Sequence, residues 1–171
     1  ELIEMASWIS HYYAVRLSLV LQAIIPSGIG KSRRGEFKAA NFLVKNTAHP
    51  LTDDQKRAIA EIKTSPNTTH LLHGITGSGK SRIYQELARD TLRNKRSVLI
   101  LVPEISLTPQ LASNFQSLTK NIVVLHSRLT EASRHLAWMK VRESDEPWVV
   151  IGPRSALFTT EKNIGLIVVD E

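Results

Sequence analysis

Gly74-Ile75-Thr76-Gly77-Ser78-Gly79-Lys80-Ser81 is a glycine-rich stretch that matches the P-loop pattern. Its glycines let the backbone bend so that successive N–H groups point at one phosphate, and the helix that follows adds its positive end. Lys80 supplies a charge for the β- and γ-phosphates, and the Ser81 hydroxyl is a ligand for magnesium. The pattern therefore predicts an ATP site over residues 74–81, with Lys80 also acting in catalysis. A chance glycine-rich turn is the alternative.

The surrounding sequence favours the P-loop over a chance turn. We expect a short strand at Leu71-Leu72 before the loop and a helix over 81–92 after it, with five residues facing inward: Ile83, Tyr84, Leu87, Ala88 and Leu92. Another helix opens at Thr52, and the remaining alternation predicts strands over 97–102, 122–125, 148–151 and 164–169 and helices over 106–118 and 130–141. Uniformly apolar strands separated by helices predict an α/β fold whose parallel sheet is covered on both faces.

A second motif follows the last predicted strand, which ends in Asp170 and Glu171. Paired carboxylates at the end of an apolar strand are typical of the magnesium-binding partner of a P-loop. Asp170 would hold the metal through water, and Glu171 would act in catalysis by orienting or deprotonating the attacking water. An ordinary strand end is the alternative, and the preceding P-loop favours the functional interpretation.

Composition sets the limits for the whole chain. It has 171 residues, 42% of them hydrophobic, which suits one globular domain. A net charge of +6 favours an anionic partner such as nucleic acid, although many basic proteins bind none. The sequence has no cysteine, which excludes disulfides and thiolate metal sites within it. No apolar run is long enough to predict a membrane span, and both ends suggest a piece of a longer protein.

The first 50 residues follow a different pattern from the alternation downstream. Residues 1–25 are predicted to be helical, with one apolar stripe at Leu2, Met5, Ile9 and Tyr12 and a second at Trp8, Tyr12, Val15 and Leu19. Proline and glycine end the helical pattern, and residues 27–50 are expected to be a linker.

Several segments together resemble the PriA family of bacterial primosomal replication-restart DNA helicases, within helicase superfamily two. They are GITGSGKS, LVPEISLTPQ (101–110), VLHSRL (124–129), IGPRSALF (151–158), IGLIVVDE (164–171) and, nearer the start, WISHYY (8–13). The resemblance implies a RecA-like helicase lobe over residues 51–171. It also implies that residues 1–26 are the end of an N-terminal DNA-binding domain, and that the family's winged helix is reduced or absent over 27–50.

The resemblance assigns roles to further residues. Gln55 resembles the residue that reads adenine, although a capping box with Thr52 explains it equally well. Thr108 and Gln110 lie in a motif beside the path of single-stranded DNA. Arg154 and Ser155 resemble a loop that contacts DNA phosphates; a lone surface arginine is the alternative. Arg82 departs from the family, which usually has glutamate there.

The resemblance also implies cofactors, partners and location. ATP and Mg²⁺ are expected, and the family's structural zinc would be bound by cysteines that this chain lacks. Expected partners are single-stranded and forked DNA, primosome proteins and single-strand-binding protein, in a cytoplasmic, nucleoid-associated setting with no membrane. This stretch alone is expected to bind nucleotide without unwinding DNA. The alternatives are a P-loop enzyme of another class, such as a small-molecule kinase, and a binding module without turnover.

Overall fold

The computed structural model describes residues 2–25, 50–65, 67–75, 77–103, 108–159 and 163–170. Within these ranges helices and strands alternate from residue 80 onward, as the sequence predicts. The elements, in chain order, are α1 (Leu2–Tyr12), α2 (Leu17–Ile24), α3 (Asp53–Thr64), α4 (Lys80–Arg93), β1 (Ser97–Leu101), α5 (Thr108–Phe115), β2 (Ile122–Val124), α6 (Glu131–Glu143), β3 (Val149–Gly152), a 3₁₀ helix (Arg154–Phe158) and β4 (Ile164–Val169).

The four strands form one parallel sheet in the order β2-β3-β1-β4. Leu99 lies beside Val150 of β3 on one side and Ile167 of β4 on the other. Because all four strands run the same way, their carboxyl ends meet at one edge of the sheet, which we call the carboxyl edge. The predicted α/β class and RecA-like parallel sheet are confirmed.

Helices cover both faces of the middle of the sheet. On one face, α4 and α5 bury Tyr84, Ala88 and Phe115 against β1 and β3. On the other, α6 buries Ala137 and Val141 against the three strands β1, β2 and β3. The predicted inward face of α4 is therefore confirmed. Four of its residues are buried, namely Ile83, Tyr84, Leu87 and Ala88, and Leu92 is partly buried against the same core. These two layers place the beginning of α4 beside the sheet.

The prediction that helices cover both faces throughout is wrong for β4. This strand lies at the edge of the sheet, and its side chains alternate between covered and uncovered. Val168 is buried, whereas Ile167 is 52% exposed and Val169 is 62% exposed. An edge strand packs where the helices reach it, so an apolar sequence does not ensure burial on both sides.

The predicted strand at Leu71-Leu72 is also wrong. Residues 69–75 are described and have no strand pairing, and Leu71 is 94% exposed. Leu72 instead packs against the side chains between α3 and α4. A strand forms only with a partner, and the described part of the chain pairs β4 with β1 alone, so the outer edge of β4 has no strand beside it.

The N-terminal segment is two helices rather than one continuous helical stretch. The chain turns after Tyr12 because Ala14 adopts a left-handed backbone (φ 51°), and the Ser10 hydroxyl donates to the Val15 carbonyl at 2.6 Å. The pair buries Ala6, Val20 and Ile24, and the partly buried residues packed on this cluster include Phe158 of the 3₁₀ helix.

The second predicted apolar stripe of this segment, in contrast, is solvent-exposed: Trp8, Tyr12, Val15 and Leu19. The predicted linker over 27–50 lies outside the described residues, apart from Pro50. Among the described helices, none combines the length and the apolar character that crossing a bilayer requires.

Candidate nucleotide-binding site

The glycine-rich loop joins directly to the first turn of α4. Gly77 and Gly79 have φ angles of 82° and 83°, in the left-handed region that favours glycine. Gly79 is the N-cap of α4, and Lys80 is its first residue. The unpaired N–H groups of a helix start attract anions, so this junction has the backbone that a phosphate site requires. Thr76 lies outside the described residues.

The Lys80 side chain lies back across the loop. Its ammonium donates to the carbonyl of Gly74 at 2.8 Å and to that of Ile75 at 3.2 Å. Ile75 is 80% exposed, so this side of the loop faces solvent. Ser81 follows in the first turn of α4 and is half-buried. The ammonium is therefore held at the loop, where phosphate oxygens would replace the two carbonyls.

Gln55 both caps α3 and contacts the loop. The capping box is confirmed, because the Gln55 N–H donates to the Thr52 hydroxyl at 3.3 Å and the Gln55 side-chain oxygen accepts from the Thr52 N–H at 3.0 Å. The remaining amide group donates to the Ser78 carbonyl at 3.2 Å. A Cβ at Gly79 would collide with this amide, so the Gln55 side chain lies directly against the glycine. The adenine-reading role stays a prediction.

Asp170 lies at the carboxyl edge, immediately after β4. Its backbone N–H continues the sheet by donating to the Leu101 carbonyl at 2.9 Å. Its Oδ1 accepts a hydrogen bond at 3.2 Å from the hydroxyl of Tyr84, which belongs to the P-loop helix α4. Burial, and then the charge and hydrogen bond of Asp170, raise the pKa of Tyr84 to about 12. This contact brings the second motif to the helix that carries Lys80; Glu171 lies outside the described residues.

The residues at this edge fit a magnesium ion bound together with a nucleotide. Mg²⁺ prefers oxygen ligands, and in phosphate sites it uses one or two protein oxygens plus waters and the phosphates. The Ser81 hydroxyl and the Asp170 carboxylate are oxygen ligands of this kind. The described residues contain no group of three or more His, Cys, Asp or Glu placed to hold a metal by themselves.

Two of the four residues predicted to contact DNA can be placed fully. Arg154 and Ser155 begin the 3₁₀ helix after β3, at the carboxyl edge, and both are exposed. Ser155 lines a groove of about 480 Å³ between α2 and α6, together with Ser127 and Arg134. Thr108 lies in α5 with Gln110, but the side chains of both lie outside the described residues.

The sequence interpretation missed polar contacts of α4 whose partners are distant in sequence. The Tyr84 hydroxyl bonds Asp170, and the Gln85 amide donates to the Asn114 carbonyl of α5 at 2.8 Å. Arg82, the departure from the family, donates to the Gln85 side chain at 3.0 Å. The spacing of Tyr84, four residues after Lys80, is the one local signal that its hydroxyl lies near the site.

Comparisons with known proteins agree with this geometry. A family model described as DEAD/DEAH box helicase matches residues 52–171. The chain is 37% identical over 174 residues to replication restart protein PriA of Helicobacter pylori strain J99, an alignment that takes in 99% of this chain and 26% of that protein. It is 44% identical over 128 residues to PriA of Chlamydia pneumoniae, and that alignment covers 72% of this chain and 17% of the relative. It is 38% identical over 127 residues to PriA of Bacillus subtilis, and that alignment covers 71% of this chain and 16% of the relative.

These relatives confirm the resemblance to PriA proteins, and they also show what share of a PriA protein this chain corresponds to. The chain spans about a quarter of the length of the Helicobacter pylori relative, at 26%, and less of the other two. The Helicobacter pylori alignment leaves only about five positions for residues of that relative that have no counterpart in this chain, because it covers 99% of 171 residues in 174 positions. It therefore has no room for a domain-sized insertion in that relative.

Proposed function

Because the chain belongs to the DEAD/DEAH box helicase family, we propose that residues 51–171 are the ATP-binding lobe of a DNA helicase. The observation that carries the proposal is the meeting of the two motifs at one edge. Lys80 begins the helix that leaves the P-loop, and the same helix contacts Asp170 through Tyr84 at 3.2 Å. A P-loop and a strand-end carboxylate in this arrangement suit a nucleoside triphosphate with its metal.

In the proposed site, backbone groups and side chains have different roles. The N–H groups of the loop, residues 74–81, bind the phosphates, and Lys80 exchanges its two carbonyl partners for phosphate oxygens. Ser81 and Asp170 hold the magnesium ion, which neutralises charge on the phosphates when bound. Glu171 orients or deprotonates the attacking water, and Gln55 reads adenine next to the loop it already contacts.

The parent activity is proposed from the relatives. The relatives are named replication restart proteins, so we assign to the whole protein ATP-driven movement along single-stranded DNA at stalled or repaired forks. Primosome proteins and single-strand-binding protein are the proposed protein partners, in the cytoplasm and at the nucleoid, and zinc is proposed for a part of the protein outside this sequence. The present stretch binds nucleotide without unwinding DNA.

Residues 1–50 are proposed to belong to the same helicase. Residues 1–26 would end the N-terminal DNA-binding domain, and 27–50 would be a linker in place of a winged helix. The alignment with the Helicobacter pylori relative, which has no room for a domain-sized insertion in that relative, supports this arrangement. Phe158 packs on the α1–α2 cluster, so the 3₁₀ helix that follows β3 contacts both parts of the chain.

The DNA path is proposed along the groove between α2 and α6. Ser155 and Arg134 line this groove, and Arg154 is the exposed neighbour of Ser155. Arg154 and Ser155 would contact the backbone phosphates of a strand that lies there. Thr108 and Gln110 would lie beside the same strand. Phosphate contacts of this kind position the strand without reading its sequence, as a translocating protein requires.

DNA-stimulated ATP hydrolysis by the full-length protein tests the proposed function. Wild-type protein should hydrolyse ATP faster when single-stranded DNA is added. Lys80→Ala should lower the stimulated rate on the order of 100-fold or more, because it removes the positive charge that stabilises the negative charge developing on the transferring phosphoryl group. Lys140→Ala, an exposed lysine of α6, is the matched control and should leave the rate unchanged.

Two other results would favour other functions. Hydrolysis that DNA does not stimulate would favour a P-loop enzyme of another class. Full replication-restart function in cells that carry Lys80→Ala would favour a binding module without turnover.

A further inference from the structure

Tyr84 is buried in the core directly behind the P-loop. It lies four residues after Lys80 on α4, so the two side chains leave the same face of the helix. Tyr84 is only 7% exposed, and its ring packs in the core cluster that includes Ala88 and Val98. A buried phenol requires a hydrogen-bond partner. Its partner here is Asp170, at 3.2 Å from the Tyr84 oxygen to Oδ1.

Both ends of this hydrogen bond are held by the fold. The core fixes the Tyr84 ring, and the backbone of Asp170 is fixed by its bond to the Leu101 carbonyl at 2.9 Å. A tyrosine hydroxyl keeps its proton near neutral pH, so the phenol remains a hydrogen-bond donor to the carboxylate. The contact therefore restricts the rotation of the Asp170 carboxylate at its Oδ1 and leaves Oδ2 for another partner.

We propose that Tyr84 is a positioning residue for magnesium-bound ATP, which acts by holding Asp170 through this hydrogen bond. The inference rests on the proposed ATP site. A carboxylate held in one orientation binds a metal-bound water without losing rotational freedom, and groups that orient metal ligands contribute strongly to metal affinity. The same contact links the helix that begins at Lys80 to the strand that ends before Asp170. The hydroxyl therefore joins the two motifs directly.

The test is the magnesium dependence of nucleotide binding. Tyr84→Phe keeps the ring in the core and removes only the hydroxyl. Binding of a fluorescent ATP analogue to the full-length protein is measured while Mg²⁺ is titrated, and again in excess chelator. In the variant, the Mg²⁺ concentration at half-maximal enhancement of binding should rise about tenfold, while the affinity without metal should be unchanged. Tyr13→Phe, at an exposed tyrosine after α1, is the matched control.

A double-mutant cycle separates positioning from a merely structural role. In an Asp170→Asn background, Tyr84→Phe should cause little further change, because the hydroxyl acts through the carboxylate. An unchanged magnesium dependence in Tyr84→Phe would overturn the inference, and so would an equal effect in both backgrounds. A loss of metal-free affinity would also overturn it, since the hydroxyl would then support the fold. Failure of the proposed function would look different, because wild-type protein would then bind no analogue, or Lys80→Ala would bind it equally well.

Discussion

β3 and β4 flank β1 on opposite sides, and only β3 is buried throughout. All four residues of β3 are buried, and the strand pairs with β1 on one side and β2 on the other. β4 is longer and nearly as apolar, yet in the described part of the chain it pairs with β1 alone and leaves Ile167 and Val169 exposed. Position in the sheet, rather than apolar content, separates the two strands.

The difference shows how stability and function are distributed over the sheet. Each strand ends at the carboxyl edge and leads into residues of a proposed site, with Arg154 after β3 and Asp170 after β4. β3 supports its site by burial on both faces. β4 supports Asp170 more weakly, through one covered face, the ladder bond to Leu101 and the hydroxyl of Tyr84. Within the described ranges its outer edge has no paired strand, and such an edge is a surface to which a further strand can add.

The largest expected effect is a difference in stability between matched isoleucines of the two strands. Ile151→Ala in β3 should lower the free energy of unfolding by about 2–5 kcal/mol, because it leaves a cavity at a fully buried position. Ile167→Ala in β4 should cost less than about 1 kcal/mol, because half of that side chain is already in water. Urea denaturation of both variants measures the two values, and equal losses would mean that β4 is covered as fully as β3.

A smaller effect is expected in DNA binding, at the end of β3. Arg154→Ala should weaken binding of single-stranded DNA to a similar extent for every sequence. It should also reduce the slope of log affinity against log salt by about 1, because one phosphate contact is lost. Arg93→Ala is the control, at an exposed arginine that ends α4. A fluorescence anisotropy titration at several salt concentrations gives both slopes, and equal slopes in the two variants would remove Arg154 from the proposed DNA path.

The smallest effect concerns the support of Asp170 at the end of β4. The pKa of Tyr84 is raised to about 12 in the folded chain, against about 10 in an unfolded one. Its contribution to stability is therefore complete below about pH 10 and is lost as the pH rises toward 12. Wild-type protein should lose stability relative to Tyr84→Phe across this window. The difference in tyrosinate absorbance between the two proteins should titrate near pH 12, and a midpoint near pH 10 would mean that the hydroxyl is not buried against Asp170.

Features that depend on local constraints were predictable from the sequence. The turn at Gly77 and Gly79 requires left-handed φ angles, and the Thr52–Gln55 capping box needs residues only three positions apart. The parallel sheet also followed from the alternation of apolar strands and helices. In each case the sequence pattern and the physical constraint extend over the same few residues.

Features that depend on distant partners were not predictable in the same way. Leu71 and Ile167 have strand-like apolar surroundings, and their exposure follows from the sheet edge, which local pattern does not define. The exposed stripe at Trp8 and Tyr12 depends likewise on which side of α1 meets α2. Tyr84 was predicted to face inward, but the partner of its hydroxyl lies 86 residues along the chain.

The central claim, that ATP binds between the P-loop and Asp170, is tested most directly by mapping the bound nucleotide with NMR. Adding ATP and Mg²⁺ to isotope-labelled protein should shift the backbone amide signals of residues 77–81 and of Asp170. The signals of β2, Ile122–Val124, should stay in place, because that strand lies at the opposite edge of the sheet. Shifts confined to the groove between α2 and α6 would contradict the account. So would the absence of shifts at millimolar ATP, because a site with a dissociation constant on the order of 1 mM would be substantially occupied at that concentration.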